Sequence, residues 1–278
     1  MVQKNLSLAN QLMATLPSQE RGLLLAHSEL VELELHAVVC VAGEVSSHVW
    51  FPVEGFVSII LPVPAAADMA VAQVGREGMF HTSAVFDVEH SAFHSRVQAA
   101  GRAFRMTRKT LQQHLQHSSC LREVLNRYAD ARLSQLAQQT VCLNHHSVVQ
   151  RLARALLMTR DRLSSKELFL THEVFSLMLG VRRESVTQAA IAFQRRGLIS
   201  YSRGYVMLLD EAALESIACG CYKADLHTYA RAFPAARDIG ATQPDVPVFS
   251  CCEDSPAEVT SRWMKCNLAT TSRGNTKG

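Results

Sequence analysis

Thr171-His-Glu-Val-Phe-Ser-Leu-Met-Leu-Gly180-Val-Arg182-Arg183-Glu184-Ser185-Val-Thr187-Gln188 opens a run that stays helical in pattern to Arg196, then reads Gly197-Leu-Ile-Ser-Tyr-Ser-Arg-Gly204-Tyr-Val-Met-Leu-Leu209. Thr171 is a good N-cap, and Glu173 puts negative charge on the first turn, where the helix dipole favours it. Val174, Phe175, Met178 and Leu179 form an i, i+3, i+4 apolar stripe. Gly180 can take the positive φ that a tight turn between helices requires. Val186, Ala189, Ala190 and Phe193 give the second helix its buried face. That leaves Arg182, Arg183, Ser185, Thr187 and Gln188 to point outward. Residues 199–201 and 205–208 are β-prone and joined by Ser202-Arg203-Gly204. Helix, turn, helix and hairpin in this order read as a winged helix-turn-helix, an arrangement that places the start of its second helix in the DNA major groove.

Charge agrees with that reading. The chain carries 28 basic and 25 acidic residues, a net of +3. Residues 142–204 hold ten basic and four acidic residues, so this window is +6 and the remainder is −3. A nearly neutral chain with one basic segment has a localised polyanion footprint rather than a polybasic tail.

Upstream, residues 10–30 read as a short helix broken at Pro17-Ser18. Seven short β-prone runs follow, at 31–36, 37–41, 48–51, 55–61, 69–74, 95–100 and 103–106. Gly43, 52–55, 62–64, 75–78 and Gly101 separate them. Short strands at this spacing predict an antiparallel roll or sandwich. From about Ser119 the period turns helical, with Leu121, Leu125, Ala129, Leu133, Leu136 and Leu143 on one stripe and polar residues opposite. A stripe of ~22 residues spans ~33 Å at ~1.5 Å per residue, long for a helix in a small domain. It serves either as a dimer seam or as a helix laid on its own β-roll. Residues 144–147 break the pattern as a hinge, and 148–162 form a further amphipathic helix. Beyond Tyr222 the chain is rich in Pro, Ser, Thr, Asp and Asn without periodicity, which predicts a poorly ordered tail over 223–278.

The residues 170–209 and the Gly75-Arg-Glu-Gly-Met79 loop with its flanking strands resemble the Crp/Fnr family of bacterial transcription regulators, over roughly residues 10–222. The resemblance implies an α+β protein: an N-terminal antiparallel β-roll of jelly-roll type as sensor domain (1–118), a dimerisation helix (119–143), a winged helix-turn-helix (144–222) and the tail (223–278). It implies a sequence-specific regulator that binds an inverted repeat as a homodimer and meets RNA polymerase. DNA contacts are expected from Arg182, Arg183, Glu184, Ser185, Thr187, Gln188, Arg195, Arg196 and Arg203. The resemblance favours the seam over the packed helix, with Leu125, Ala129, Leu133 and Leu136 as interface. The other reading is a small-molecule or redox signalling module whose helix-turn-helix mediates protein contacts.

The signal is less legible. Nucleotide-binding members of that family hold the phosphate with a Gly-Glu pair and an Arg-Ser/Thr-Ala segment. Here the second segment reads Ala92-Phe93-His94-Ser95-Arg96-Val97, with Phe93 where the arginine is expected. Arg96, three residues on, faces the other side of a strand. Arg76, Glu77 and Arg96 remain the effector-pocket candidates, with the effector unknown or the site vestigial, and cyclic AMP is not expected to bind. The family's iron–sulfur sensors need several N-terminal cysteines, but only Cys40 precedes residue 120. Cys219-Gly-Cys221 and Cys251-Cys252 look too few and too close for four-ligand sites, and Cys219 reads as a packing residue, with a thiol switch at Cys219 or Cys221 left open. His90 and His94, and the pair His145-His146, do not by spacing make a metal site. No His-x-His pair supports a metal dioxygenase in a β-roll. The expectation is therefore a non-enzyme with no metal and no cofactor. No window has the ~18 apolar residues of a membrane span, and no basic-then-apolar leader opens the chain. A cytoplasmic protein with reduced thiols is the expectation.

Overall fold

The computed structural model describes residues 9–65 and 67–233. Two short helices, α1 (Gln11–Ala14) and α2 (Ser18–Ala26), precede the strands. Asn10 holds α1 in place. Its Oδ1 accepts from the Met13 backbone N–H at 2.9 Å, and its Nδ2 donates to the carbonyls of Pro52 and Gly78 at 2.7 and 2.8 Å.

Seven strands follow: β1 (Glu29–Leu33), β2 (Val38–Cys40), β3 (His48–Pro52), β4 (Phe56–Leu61), β5 (Met69–Val74), β6 (His94–Ala99) and β7 (Gly101–Thr107). They pair antiparallel in two sheets, β1-β7-β3 and β2-β6-β4-β5. This is the roll the spacing predicts. The strands cross at a crowded corner. A Cβ on Gly55, whose φ is +73°, would lie 2.3 Å from the Ala99 carbonyl oxygen. One on Gly101 would lie 2.3 Å from the Glu54 carbonyl carbon. Only glycine permits that approach.

Helix α3 (Arg108–His117) leads from β7 into α4 (Ser119–His145), 27 residues long, capped by the Ser118 hydroxyl. At ~1.5 Å per residue α4 spans ~40 Å. Its first half packs Leu121, Val124, Leu125 and Tyr128 into the roll's core with Phe51, Phe104 and Met106. After the hinge, α5 (Val148–Leu163) begins with a capping box of Ser147 and Gln150. The remaining elements are β8 (Glu167–Phe169), α6 (His172–Leu179), α7 (Arg183–Arg195), β9 (Ile199–Ser202), β10 (Tyr205–Leu208), α8 (Glu211–Ile217) and α9 (Cys221–Ala232). β8 joins the expected hairpin as a third strand, in the order β8-β10-β9.

Two expectations are corrected. Leu125 is 1% exposed and Ala129 5%; both turn into the protein's own interior, so they do not form a free seam. Leu133 is 64% exposed and Leu136 half-buried. Residues 223–232, expected in the tail, continue helix α9, which packs along α4: Tyr229 Oη donates to Gln135 Oε1 at 3.2 Å, and the Tyr128 and Phe233 rings lie 6.4 Å apart. The rest of the expected tail, 234–278, lies outside the described residues. Among the described residues no helix is long and apolar enough to cross a membrane.

Candidate nucleic-acid interface

The turn between α6 and α7 forms as its sequence dictates. The Thr171 hydroxyl caps α6 by accepting from the Val174 N–H. Gly180 closes the helix at φ +59°. Arg151 of α5 donates to the Leu179 carbonyl at 2.9 Å, satisfying a terminal acceptor of α6. Val186, Ala189, Ala190 and Phe193 are buried against Phe175, Leu156 and Val206. This fixes the outward face of α7: Arg182 at its N-cap, then Arg183, Glu184, Gln188 and Arg195, all exposed, with Arg196 just beyond. Ser185 is half-buried.

Thr187 does not join that face freely. Its Oγ1 donates to the Arg183 carbonyl at 3.0 Å and lies 2.9 Å from His172 Nδ1. The His172 ring stacks on Tyr201 of β9 at 4.3 Å, tying the start of α6 to the wing. Burial, and then the Arg183 charge, lower the His172 pKa, so its imidazole stays neutral near pH 7. Ile191, overlooked in the sequence reading, is 40% exposed one turn beyond Gln188. Its signal was present: 184, 188, 191 and 195 share one helical face.

At the wing, Ser202 pairs with Tyr205 across Arg203-Gly204. Both turn residues have positive φ, +49° and +88°, the signature of a two-residue hairpin turn that matches strand twist. Arg203 stands exposed at the tip.

The basic segment divides in two. Arg154 pairs with Asp225, Arg160 with Asp161 and Glu211, Arg162 with Glu77 and Lys166 with Glu211. Those charges, and Arg151 at the end of α6, hold the fold together. Arg182, Arg183, Arg195, Arg196 and Arg203 form no salt bridge with another described residue and are exposed. Five exposed guanidiniums, on a helix start, a helix end and a hairpin tip, each without an acidic partner among the described residues, can meet a polyanion.

Of the three effector candidates, Arg76 and Glu77 line one cleft and Arg96 lies apart from them. Glu77 Oε2 accepts from the Gly75 N–H at 3.0 Å, and its Oε1 lies 2.9 Å from Arg162 Nε of α5. Arg76 lines a cleft of about 440 Å³ with Arg160, Lys166 and Tyr229. Arg96 sits exposed on β6 between inward-facing Ser95 and Val97, so it points out of the roll. The crevice between the Gly75–Met79 loop and α4 is filled by Tyr128, whose Oη donates to the Met79 carbonyl at 2.7 Å and accepts from the Met79 N–H at 3.0 Å. A Cβ on Gly78 would meet that phenol at 2.2 Å, so loop and ring are fitted to each other.

Residues 150–217 match the family model described as the Crp-like helix-turn-helix domain. The chain carries a Crp-like helix-turn-helix domain on a Crp/Fnr fold. That fold is shared with FixK2 from Bradyrhizobium japonicum (TM-score 0.61, 14% identity, covering 69% of this chain and 98% of that one). It is shared too with CLP of Xanthomonas campestris, described as a c-di-GMP responsive global regulator (TM-score 0.59, 17% identity, 70% and 100% covered). A CRP-family transcriptional regulator from Thermus thermophilus aligns at TM-score 0.59 with 19% identity, over 68% of this chain and 96% of that one. No curated protein matches the sequence. The shared fold accounts for the roll, the long α4 and the winged Crp-like domain; the cysteines at 142, 219 and 221 lie outside the matched segment.

Proposed function

We propose that the chain is a transcription regulator that binds an inverted-repeat DNA operator as a homodimer. The observation that carries this is the set of five exposed arginines without acidic partners among the described residues, on the second helix and wing of the Crp-like domain. In this reading Arg183 pairs with the O6 and N7 of guanine, Glu184 accepts from cytosine N4, and Gln188 takes adenine N6/N7. Arg195, Arg196 and Arg203 meet phosphate.

The dimer forms through the outer face of α4, not through Leu125 and Ala129. Leu133, Ala137 and Val141 are exposed there at four-residue steps, with Asp130 and Asn144 at the ends. An apolar stripe flanked by polar residues on a long helix is the pattern of a two-helix seam. The β-roll acts as a scaffold whose family nucleotide site is vestigial, since Tyr128 occupies the crevice and Glu77 is committed to Arg162.

Selection of bound sequences from a random DNA pool tests this. The expected result is a two-fold symmetric motif with half-sites ~10–10.5 bp apart, or a multiple. Recovery of no enriched sequence at moderate salt overturns the reading.

A further inference from the structure

Four ligand-type side chains converge away from the arginine face. Cys142 and His146 stand four residues apart at the C-terminal end of α4 and its cap. Cys219 and Cys221 flank the turn from α8 into α9. One donor atom from each lies within 4.8 Å of all the others. Cys142 Sγ is 3.5 Å from Cys219 Sγ, and Cys221 Sγ is 3.4 Å from His146 Nδ1. The three thiols are buried and His146 is half-buried.

These separations have a simple chemical match. Tetrahedral zinc, with Zn–S of ~2.3 Å and Zn–N of ~2.0–2.1 Å, holds its sulfurs ~3.8 Å apart and sulfur and nitrogen ~3.6 Å apart. We propose that Cys142, His146, Cys219 and Cys221 form a closed four-coordinate site for a zinc-class divalent cation. Three sulfurs and one imidazole exclude calcium and magnesium, which take oxygen ligands, and leave no open position for a catalytic water.

The surroundings fit the same ion. Gln138 Nε2 donates to Cys221 Sγ at 2.9 Å, the kind of outer bond that orients a metal thiolate. Three thiolates around a dication carry net −1. The Arg154 guanidinium beside Cys142 and Cys221 offsets that charge. Arg154 is itself held by Asp225 at 2.5 Å and Gln139 at 2.6 Å.

The position gives the ion a structural task. Cys142 and Cys219 are 77 residues apart, and the segment between them contains the whole matched domain, 150–217. The metal ties the end of α4, at the hinge, to the far side of the winged domain. It sets how that domain is carried on the long helix. This assignment does not depend on DNA binding.

Elemental analysis of the reduced, untagged full chain is the test. About one zinc per chain is expected, because a closed thiolate site binds tightly at neutral pH. The Cys251→Ser/Cys252→Ser/Cys266→Ser triple variant and Cys120→Ser should keep it. Cys219→Ser and His146→Ala should lose it. Should those two variants misfold, the wild type still decides. Cobalt added to the metal-free protein should give the intense visible bands of a tetrahedral thiolate site. Absence of stoichiometric metal together with only weak octahedral cobalt bands overturns the proposal. So does loss of zinc in the triple variant, or a Cys142–Cys219 disulfide in protein kept reduced and anaerobic.

Discussion

Arg183 and Arg203 are both exposed arginines, yet removing them should have different consequences. Arg183 begins α7 and Arg203 tips the wing; in the proposed function the first addresses base edges and the second the backbone. Arg183→Ala should cost about 1–3 kcal/mol on the selected operator and relax preference at one base pair. Arg203→Ala should weaken all sequences alike and reduce the salt slope by about one. Titrations on specific and random DNA at several salt concentrations separate the two, and equal losses for Arg183→Ala would remove it from base readout. Tyr128 supports a second residue-scale expectation. With its ring in the crevice and both its bonds made to Met79, cyclic AMP should leave the melting temperature unchanged. A ligand present at ~100 times its Kd would stabilise by ~2.7 kcal/mol, an easily seen shift. The outward set on α7 was legible because a helical stripe determines its own opposite face. Thr187 was not, because its partner His172 is fifteen residues away on another helix. The four metal-ligand candidates were invisible for the same reason at longer range: Cys-x-Cys and Cys-x3-His are each too short to be a site, and only folding brings them together.

Helix α4 shows what periodicity can and cannot give at the scale of an element. The step of three and four residues correctly marks a long amphipathic helix. It does not say which stripe meets which partner, and a helix this long has two. Near its start the roll takes Leu121, Leu125 and Tyr128; farther on, Leu133, Ala137 and Val141 stand exposed on another line. The consequence is a paired prediction. Leu133→Asp should leave the monomer's melting temperature within a few degrees, since the side chain is 64% exposed, but shift sedimentation from dimer to monomer. Leu125→Ala should do the reverse: a loss of about 2–5 kcal/mol in urea unfolding from the cavity it leaves, with dimerisation retained in the folded fraction. If Leu133→Asp sediments as the wild type does, the seam lies elsewhere. Helix α9 went unread because Asp225 sits buried within it, paired with Arg154 of α5, where an apolar residue would have kept the stripe. Its N-cap is Gly220, with no side-chain cap to announce it.

Across the whole molecule, histidines couple stability to acid. His81 is the most enclosed of those with a shifted pKa. Its ring lies edge-on to Phe80 at 5.1 Å, with Nδ1 2.8 Å from the His48 carbonyl and Nε2 3.3 Å from Ser95 Oγ. Burial, the largest influence, holds its pKa below the ordinary 6.5; the hydrogen bond to the His48 carbonyl opposes that shift, and the charge of the His48 ring adds to it by a smaller amount. Burial likewise lowers His48 and His114 in the N-terminal half and His172 in the winged domain. The sign follows from proton counting. The unfolded chain binds protons at about 6.5 while the folded imidazoles stay neutral, so the stability is present above that value and lost as pH falls through it toward the folded pKa. Asp225, raised by burial, acts in the opposite sense, so the wild-type curve alone does not isolate the histidine contribution. Comparison with His81→Asn does. Asparagine tolerates the left-handed φ of +65° at this position and keeps a donor for the His48 carbonyl, but does not titrate. The melting temperature of the wild type should fall more steeply than that of the variant between about pH 7.5 and about pH 5.5. Parallel curves would mean that His81 gains its proton in the folded protein as easily as in the unfolded chain, and acid sensitivity would then have to arise from the other histidines.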